Sequence, residues 1–174
     1  MKKIFMLLIM LVLVVGCPQN SVYAMDAEYT HRVRKEVQQI KQTSNGQQIF
    51  NSVEKYSKQY NVKPELVHAL IYVESRYDHK ATSRCGAKGL LQLMPIVYKK
   101  NNPYNIDNNI KCGTEYLAYM LKEHNGNEVY ALASYNSGSA RVKRYIKEDK
   151  PLPKGLSNYV KKVQTHKKIM KMEI

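Results

Sequence analysis

One carboxylate is placed to do acid–base work. Val67, Leu70, Ile71 and Glu74 fall at i, i+3, i+4 and i+7, so a helix that buries the three aliphatic side chains carries Glu74 on the same face. A Glu drawn toward an apolar interior, in a helix's last turn where the dipole end is negative, is expected to hold its proton tightly. A general acid working near neutral pH needs that property. Glu65 differs: it follows Pro64 in a first turn, where it complements the helix dipole. Asp78, four residues after Glu74, reads as a solvated helix-end residue or cap. His31, His68, His79, His124 and His166 form no spaced cluster. Neither Cys85 nor Cys112 has a second Cys or a His at ligand spacing, so no metal is expected.

The elements that must hold Glu74 are helical. Tyr29, Val33, Val37 and Ile40 make a thin stripe within 26–43, which predicts a polar, loosely docked helix or linker over 25–46. Ser44-Asn45-Gly46 is expected to break the chain, and the main domain to run over 47–174. Ile49, Val53, Tyr56 and Tyr60 mark one helix, and Pro64 opens the next. A glycine-containing loop, 82–89, leads to Leu90-Leu91-Gln92-Leu93-Met94 and then Pro95. The stretch around Asn101 to Asn109 reads as irregular, with helices returning at 110–124, 128–136, 139–148 and 156–170. Strand signals are nearly absent, so the fold class is mainly α, with at most a small β-hairpin.

Charge and the amino terminus narrow the compartment and partners. With 28 Lys+Arg against 14 Asp+Glu, the net charge is +14, which favours polyanionic partners. Met1-Lys2-Lys3 precedes an apolar run from Ile4 to Val15, too short for a membrane span and suited to a signal peptide. Two exits are open: cleavage after Ala24 in Val22-Tyr23-Ala24, or lipidation of Cys17 in Val14-Val15-Gly16-Cys17, which would make 1–16 the leader. Either exports the chain to the periplasm or cell envelope, with a membrane anchor only through Cys17. Dispersed basic residues and an export signal argue against nucleic acid. In an oxidising compartment the remaining pair, Cys85 and Cys112, is expected to form a disulfide.

Four short motifs follow one another in order: Glu74-Ser75; Gly86-Ala87-Lys88-Gly89-Leu90-Leu91-Gln92; Ala133-Ser134-Tyr135-Asn136-Ser137-Gly138; and Tyr159-Val160. Together they resemble the soluble-type lytic transglycosylases, the SLT domain, which share the goose-type lysozyme fold. The resemblance covers roughly 47–170. It implies a cleft for peptidoglycan glycan strands, cut between N-acetylmuramic acid and N-acetylglucosamine with no cofactor. Glu74 would protonate the bridging oxygen and then accept the proton of the muramoyl 6-hydroxyl as it closes a 1,6-anhydro ring. One carboxylate then suffices, where most glycosidases need two.

The resemblance also suggests substrate-binding residues. Ser75 would position sugar or Glu74, or simply end its helix. Gln92 could offer donor and acceptor to an N-acetyl group. Tyr135 and Asn136 would line the cleft, and Tyr159 would hydrogen-bond Glu74 or serve only as core packing. Gly86 and Gly89 fit a close backbone approach to a sugar or an ordinary turn. Two rival functions stay open: a hydrolytic muramidase on the same fold, and a non-catalytic wall-binding component of a secretion or conjugation apparatus. The enzyme itself is expected to be a monomer.

Overall fold

The computed structural model describes residues 19–173; Cys17 and the apolar core of the expected leader lie outside them. Eight helices carry the described chain: α1 (Gln19–Lys41), α2 (Ser44–Tyr60), α3 (Pro64–Ser75), α4 (Pro95–Tyr98), α5 (Ile106–Glu123), α6 (Glu128–Ser137), α7 (Ser139–Lys147) and α8 (Lys154–Met170). α3 is the central element. Every residue from Leu66 to Tyr72 is buried, as a helix apolar on all sides must be. α8 and α2 pack against it, α5 closes on α2, and α6 bridges α5, α7 and α8. The expected hairpin reduces to two antiparallel bridges, Thr82 with Lys88 and Lys88 with Leu93. The molecule is thus the mainly helical fold the sequence predicts.

Three local readings are corrected. α1 is firmly docked, with Val33 and Val37 fully buried. Polar contacts reinforce the thin stripe: Tyr72 Oη donates to Glu36 Oε2 at 2.8 Å, and Arg34 Nε pairs with Glu173 at 3.0 Å. Ser44-Asn45-Gly46 forms the first turn of α2 instead of a break. Thr43 caps it, its hydroxyl accepting from Gly46 N at 3.0 Å, and Gly46 fits where a Cβ would strike the Ile40 carbonyl. α5 starts at Ile106, inside the expected irregular stretch, because the Asn105 side chain accepts from Asn108 N at 3.0 Å and so satisfies a first-turn amide.

The expected Cys85–Cys112 disulfide is not formed: both thiols are free. Cys85 is exposed in the 82–89 loop. Cys112 is buried on α5, where Asn101 Nδ2 donates to its sulfur at 3.4 Å. An even cysteine count said nothing about where the two side chains point.

Candidate active site

Glu74 occupies the last turn of α3, just before Arg76, which ends the helix in the left-handed conformation at φ 51°. The three aliphatic residues that share its face, Val67, Leu70 and Ile71, are fully buried. They draw the Glu74 side chain to the edge of the core, where it is half-buried. Tyr159, on α8, donates its hydroxyl to Glu74 Oε1 at 2.6 Å. Burial pushes the Glu74 carboxyl above its ordinary range, and the Tyr159 hydrogen bond offsets part of that rise by favouring the ionised form. Tyr159 and Tyr135 are both held well above the usual phenol range, first by burial and then by the charge of Glu74. Both phenols therefore stay protonated, and Tyr159 is the one that donates to the carboxyl.

A cavity of about 430 Å³ opens beside this pair. Glu74, Asn136 and Tyr159 line one end. One face of α8, passing from Gly155 through Tyr159 and Lys162 to His166, forms its long wall; the eleven steps from first to last span about 16 Å of helix. At the far end Tyr29 Oη meets His166 Nε2 at 2.8 Å, and the His166 ring stacks on Tyr72 at 4.6 Å. Burial pushes the His166 imidazole below its usual range. Arg76 and Lys162, both exposed, stand on the rim. Glu74 is the one carboxylate among the described residues lining this space.

The remaining sequence-derived candidates hold the loop beside the site. Ser75 Oγ donates back to the Ile71 carbonyl at 3.1 Å, so its hydroxyl serves its own helix. Gln92, at φ 45°, spends its amide nitrogen on the carbonyls of Gly89, at 2.9 Å, and Ala81, at 3.3 Å. Tyr135 Oη donates to the Leu91 carbonyl at 2.9 Å, tying α6 to the same loop. Gly89 has φ 75°, and a Cβ there would strike the Asn109 amide and the Pro103 carbonyl. Asp78 turns away to cap its own loop, accepting from Lys80 N at 2.8 Å. Among the described residues no group of three His, Cys, Asp or Glu side chains could hold a metal ion.

Sequence reasoning missed Tyr29, Tyr72, Arg76, Lys162 and His166 as cavity residues, and Asn109 as the loop's anchor. Asn109 is buried; it accepts from Leu91 N at 2.9 Å and donates to the carbonyls of Pro103, at 2.7 Å, and Lys88, at 3.1 Å. A cap-like Asn at 105 followed by Asn109 one turn later was the available signal.

Comparison with known proteins bears on the same region. Residues 51–158 match the model of the transglycosylase SLT domain. The soluble lytic murein transglycosylase of Salmonella typhimurium is 28% identical over 105 residues, covering 53% of this chain and 16% of that protein. A transglycosylase of Enterobacteria phage PRD1 is 35% identical over 95 residues, covering 53% of this chain and 36% of the phage protein. The chain thus spans well under half the length of these relatives. Among solved structures, an inactive mutant of lytic transglycosylase Slt from Pseudomonas aeruginosa superimposes with a TM-score of 0.65 at 26% identity, over 71% of this chain and 24% of that one. The 70 kDa soluble lytic transglycosylase of Escherichia coli gives 0.65 at 21% identity over 86% of this chain and 30% of that one, a likeness of fold.

Proposed function

The chain belongs to the transglycosylase SLT domain family, and we propose that it cleaves the glycan strands of peptidoglycan between N-acetylmuramic acid and N-acetylglucosamine, leaving 1,6-anhydromuramoyl ends. The observation that carries this reading is the half-buried Glu74 carboxyl, its pKa raised by burial, beside the Tyr159 hydroxyl at the edge of an open cavity.

Protonated Glu74 donates to the bridging oxygen as the C1–O bond breaks, and positive charge develops at C1 and the ring oxygen. The resulting Glu74 carboxylate then accepts the proton of the muramoyl 6-hydroxyl, and O6 closes on C1. The proton count balances and no water is consumed. Tyr159 orients the carboxyl through both steps and stabilises its charged form between them. Asn136, exposed at the cavity's edge, is the side chain offered to the sugar. Tyr135, Gln92 and Ser75 act one step back, holding the 81–93 loop and the end of α3.

A single carboxylate in the cavity favours this route over the two-carboxylate mechanisms of most glycosidases. Mass spectrometry of products released from purified sacculi tests it. Anhydromuramoyl ends are expected. Reducing ends would make the enzyme a hydrolase, and wild-type release by Glu74→Gln would remove the catalyst altogether. Replacing the acid is expected to cost about 10²–10⁴-fold in rate. The apolar amino-terminal run supports export to the cell envelope, where this substrate lies.

A further inference from the structure

We infer that Arg76 and Lys162 form a carboxylate-binding subsite for the acidic arm on C3 of the muramoyl residue, so that the site selects muramoyl sugars over plain N-acetylglucosamine. The inference rests on the glycan-cleaving reading above. Its support lies in parts of the cavity that the motifs do not describe.

Arg76 follows Glu74 by two residues, on the left-handed residue that ends α3. Lys162 follows Tyr159 by three on α8, roughly 4.5 Å further along the axis. Both line the cavity that contains Glu74, so two cations flank the place where the scissile sugar must lie. Lys162 makes no ion pair among the described residues. Arg76 has one acidic neighbour, Glu36, at 3.8 Å, and its guanidinium lies 5.3 Å over the Tyr72 ring. Glu36, on α1, also accepts from the Tyr72 hydroxyl through its other oxygen and does not line the cavity.

The charged groups lining the cavity are therefore Arg76, whose one acidic partner, Glu36, is not among the lining residues, Lys162, which has none among the described residues, and a Glu74 that is neutral in the reactive state. A ligand carboxylate gives Lys162 a counter-ion and Arg76 a second one. A muramoyl sugar differs from its N-acetylglucosamine neighbour by the lactyl ether at C3. That arm ends in a carboxylate when bare and carries carboxylates further out when it bears a peptide. The planar guanidinium can hold a carboxylate through paired N–H donors, and the ammonium adds a point charge.

Oligosaccharides of equal length separate the sources. Chito-oligosaccharide has no carboxylate, a peptide-free strand has the lactyl carboxylate, and a stem-bearing strand has only peptide carboxylates. Calorimetry with the Glu74→Gln chain should show about tenfold tighter binding of a carboxylate-bearing oligomer than of the chito-oligomer. Adding Arg76→Gln and Lys162→Gln should bring that ratio toward one. Lys161→Gln, one position away and outside the cavity, should leave it. An advantage for peptide-free strands assigns the lactyl arm, and one confined to stem-bearing strands assigns the peptide.

Equal affinity for all three oligomers overturns the subsite. So does a ratio that survives the double replacement, or one lost equally in Lys161→Gln, which would reflect bulk charge. Turnover is scored separately. If the wild type cuts no strand while the affinity ratio behaves as stated, the reaction fails and the subsite stands. Normal cleavage without the ratio is the reverse.

Discussion

The Tyr159 hydroxyl reaches Glu74 Oε1 at 2.6 Å across 85 residues of sequence, from the buried face of α8 to the last turn of α3. The contact does two opposed things. It fixes the carboxyl's orientation, and it favours the ionised form that burial disfavours. Tyr159→Phe removes both effects. In the proposed mechanism the alkaline limb of the pH–rate profile reports loss of the Glu74 proton, and it should move to higher pH. The maximal rate should fall about 10–100-fold, the equivalent of a hydrogen bond to a charged group. A profile unmoved in pH would mean that the phenol only packs.

Two glycines in one loop should respond differently to a methyl group. Gly86 and Gly89 both have positive φ, 83° and 75°, but a Cβ at Gly86 meets open space. At Gly89 it meets the Asn109 amide and the Pro103 carbonyl. Gly86→Ala should cost about 1–2 kcal/mol of backbone strain alone. Gly89→Ala adds a clash with the side chain that holds Leu91 N and the Lys88 carbonyl, for a total of roughly 3 kcal/mol or more. Denaturant midpoints measure the difference, and equal costs would refute the close approach.

Glu74 was legible because a period of 3.6 residues links it to three aliphatic neighbours. The cavity's far wall was not. Tyr29 comes from α1, Arg76 from the end of α3, and Lys162 and His166 from one face of α8, and no spacing along the chain relates these three pieces. Tyr159 as partner of Glu74 was reachable only through the family resemblance, since a Tyr on the last helix serves a core equally well. The helix boundaries that failed did so at caps: Thr43 and Asn105 sit in polar runs that look like loop until their side chains are seen to accept first-turn amides. A thin apolar stripe underrated α1, because the stripe does not count contacts such as Tyr72 with Glu36.

That helix gives a direct test of whether residues before 47 are structural. Val33→Ala and Val37→Ala each remove buried aliphatic surface, and each should destabilise the chain by roughly 1–2 kcal/mol. Because α1 also delivers Tyr29 to the cavity, turnover should fall with stability in the double variant. A loosely docked helix would show neither effect in thermal unfolding.

The two thiols should differ in reactivity. N-ethylmaleimide applied to the native chain without reductant should label Cys85, which is exposed, and spare Cys112, whose buried thiol is pushed above its usual pKa. Unfolding in guanidinium should expose Cys112 to the same reagent. Peptide mapping reads both sites. A Cys85–Cys112 cross-linked peptide, or protection of both until reduction, would restore the disulfide.

Glu74 should also reveal itself as a stability defect. Its folded pKa lies above the ordinary 4.5 because burial penalises the carboxylate. The folded state therefore binds that proton more tightly than the unfolded state does. The resulting stability is fully present below the unfolded pKa and is lost as pH rises from there through the folded pKa. Glu74→Gln carries no such penalty, and its amide oxygen can still accept from Tyr159. The melting temperatures of the two proteins should be closest near pH 4, and the variant should gain as pH rises toward 7, by about 2–4 °C per kcal/mol relieved. The proposed reaction needs a proton poised for a glycosidic oxygen, and so a carboxyl held where its charge is unwelcome. The stabilised variant should accordingly be the inactive one, and a variant that melts with the wild type at every pH would show that position 74 carries no strained acid.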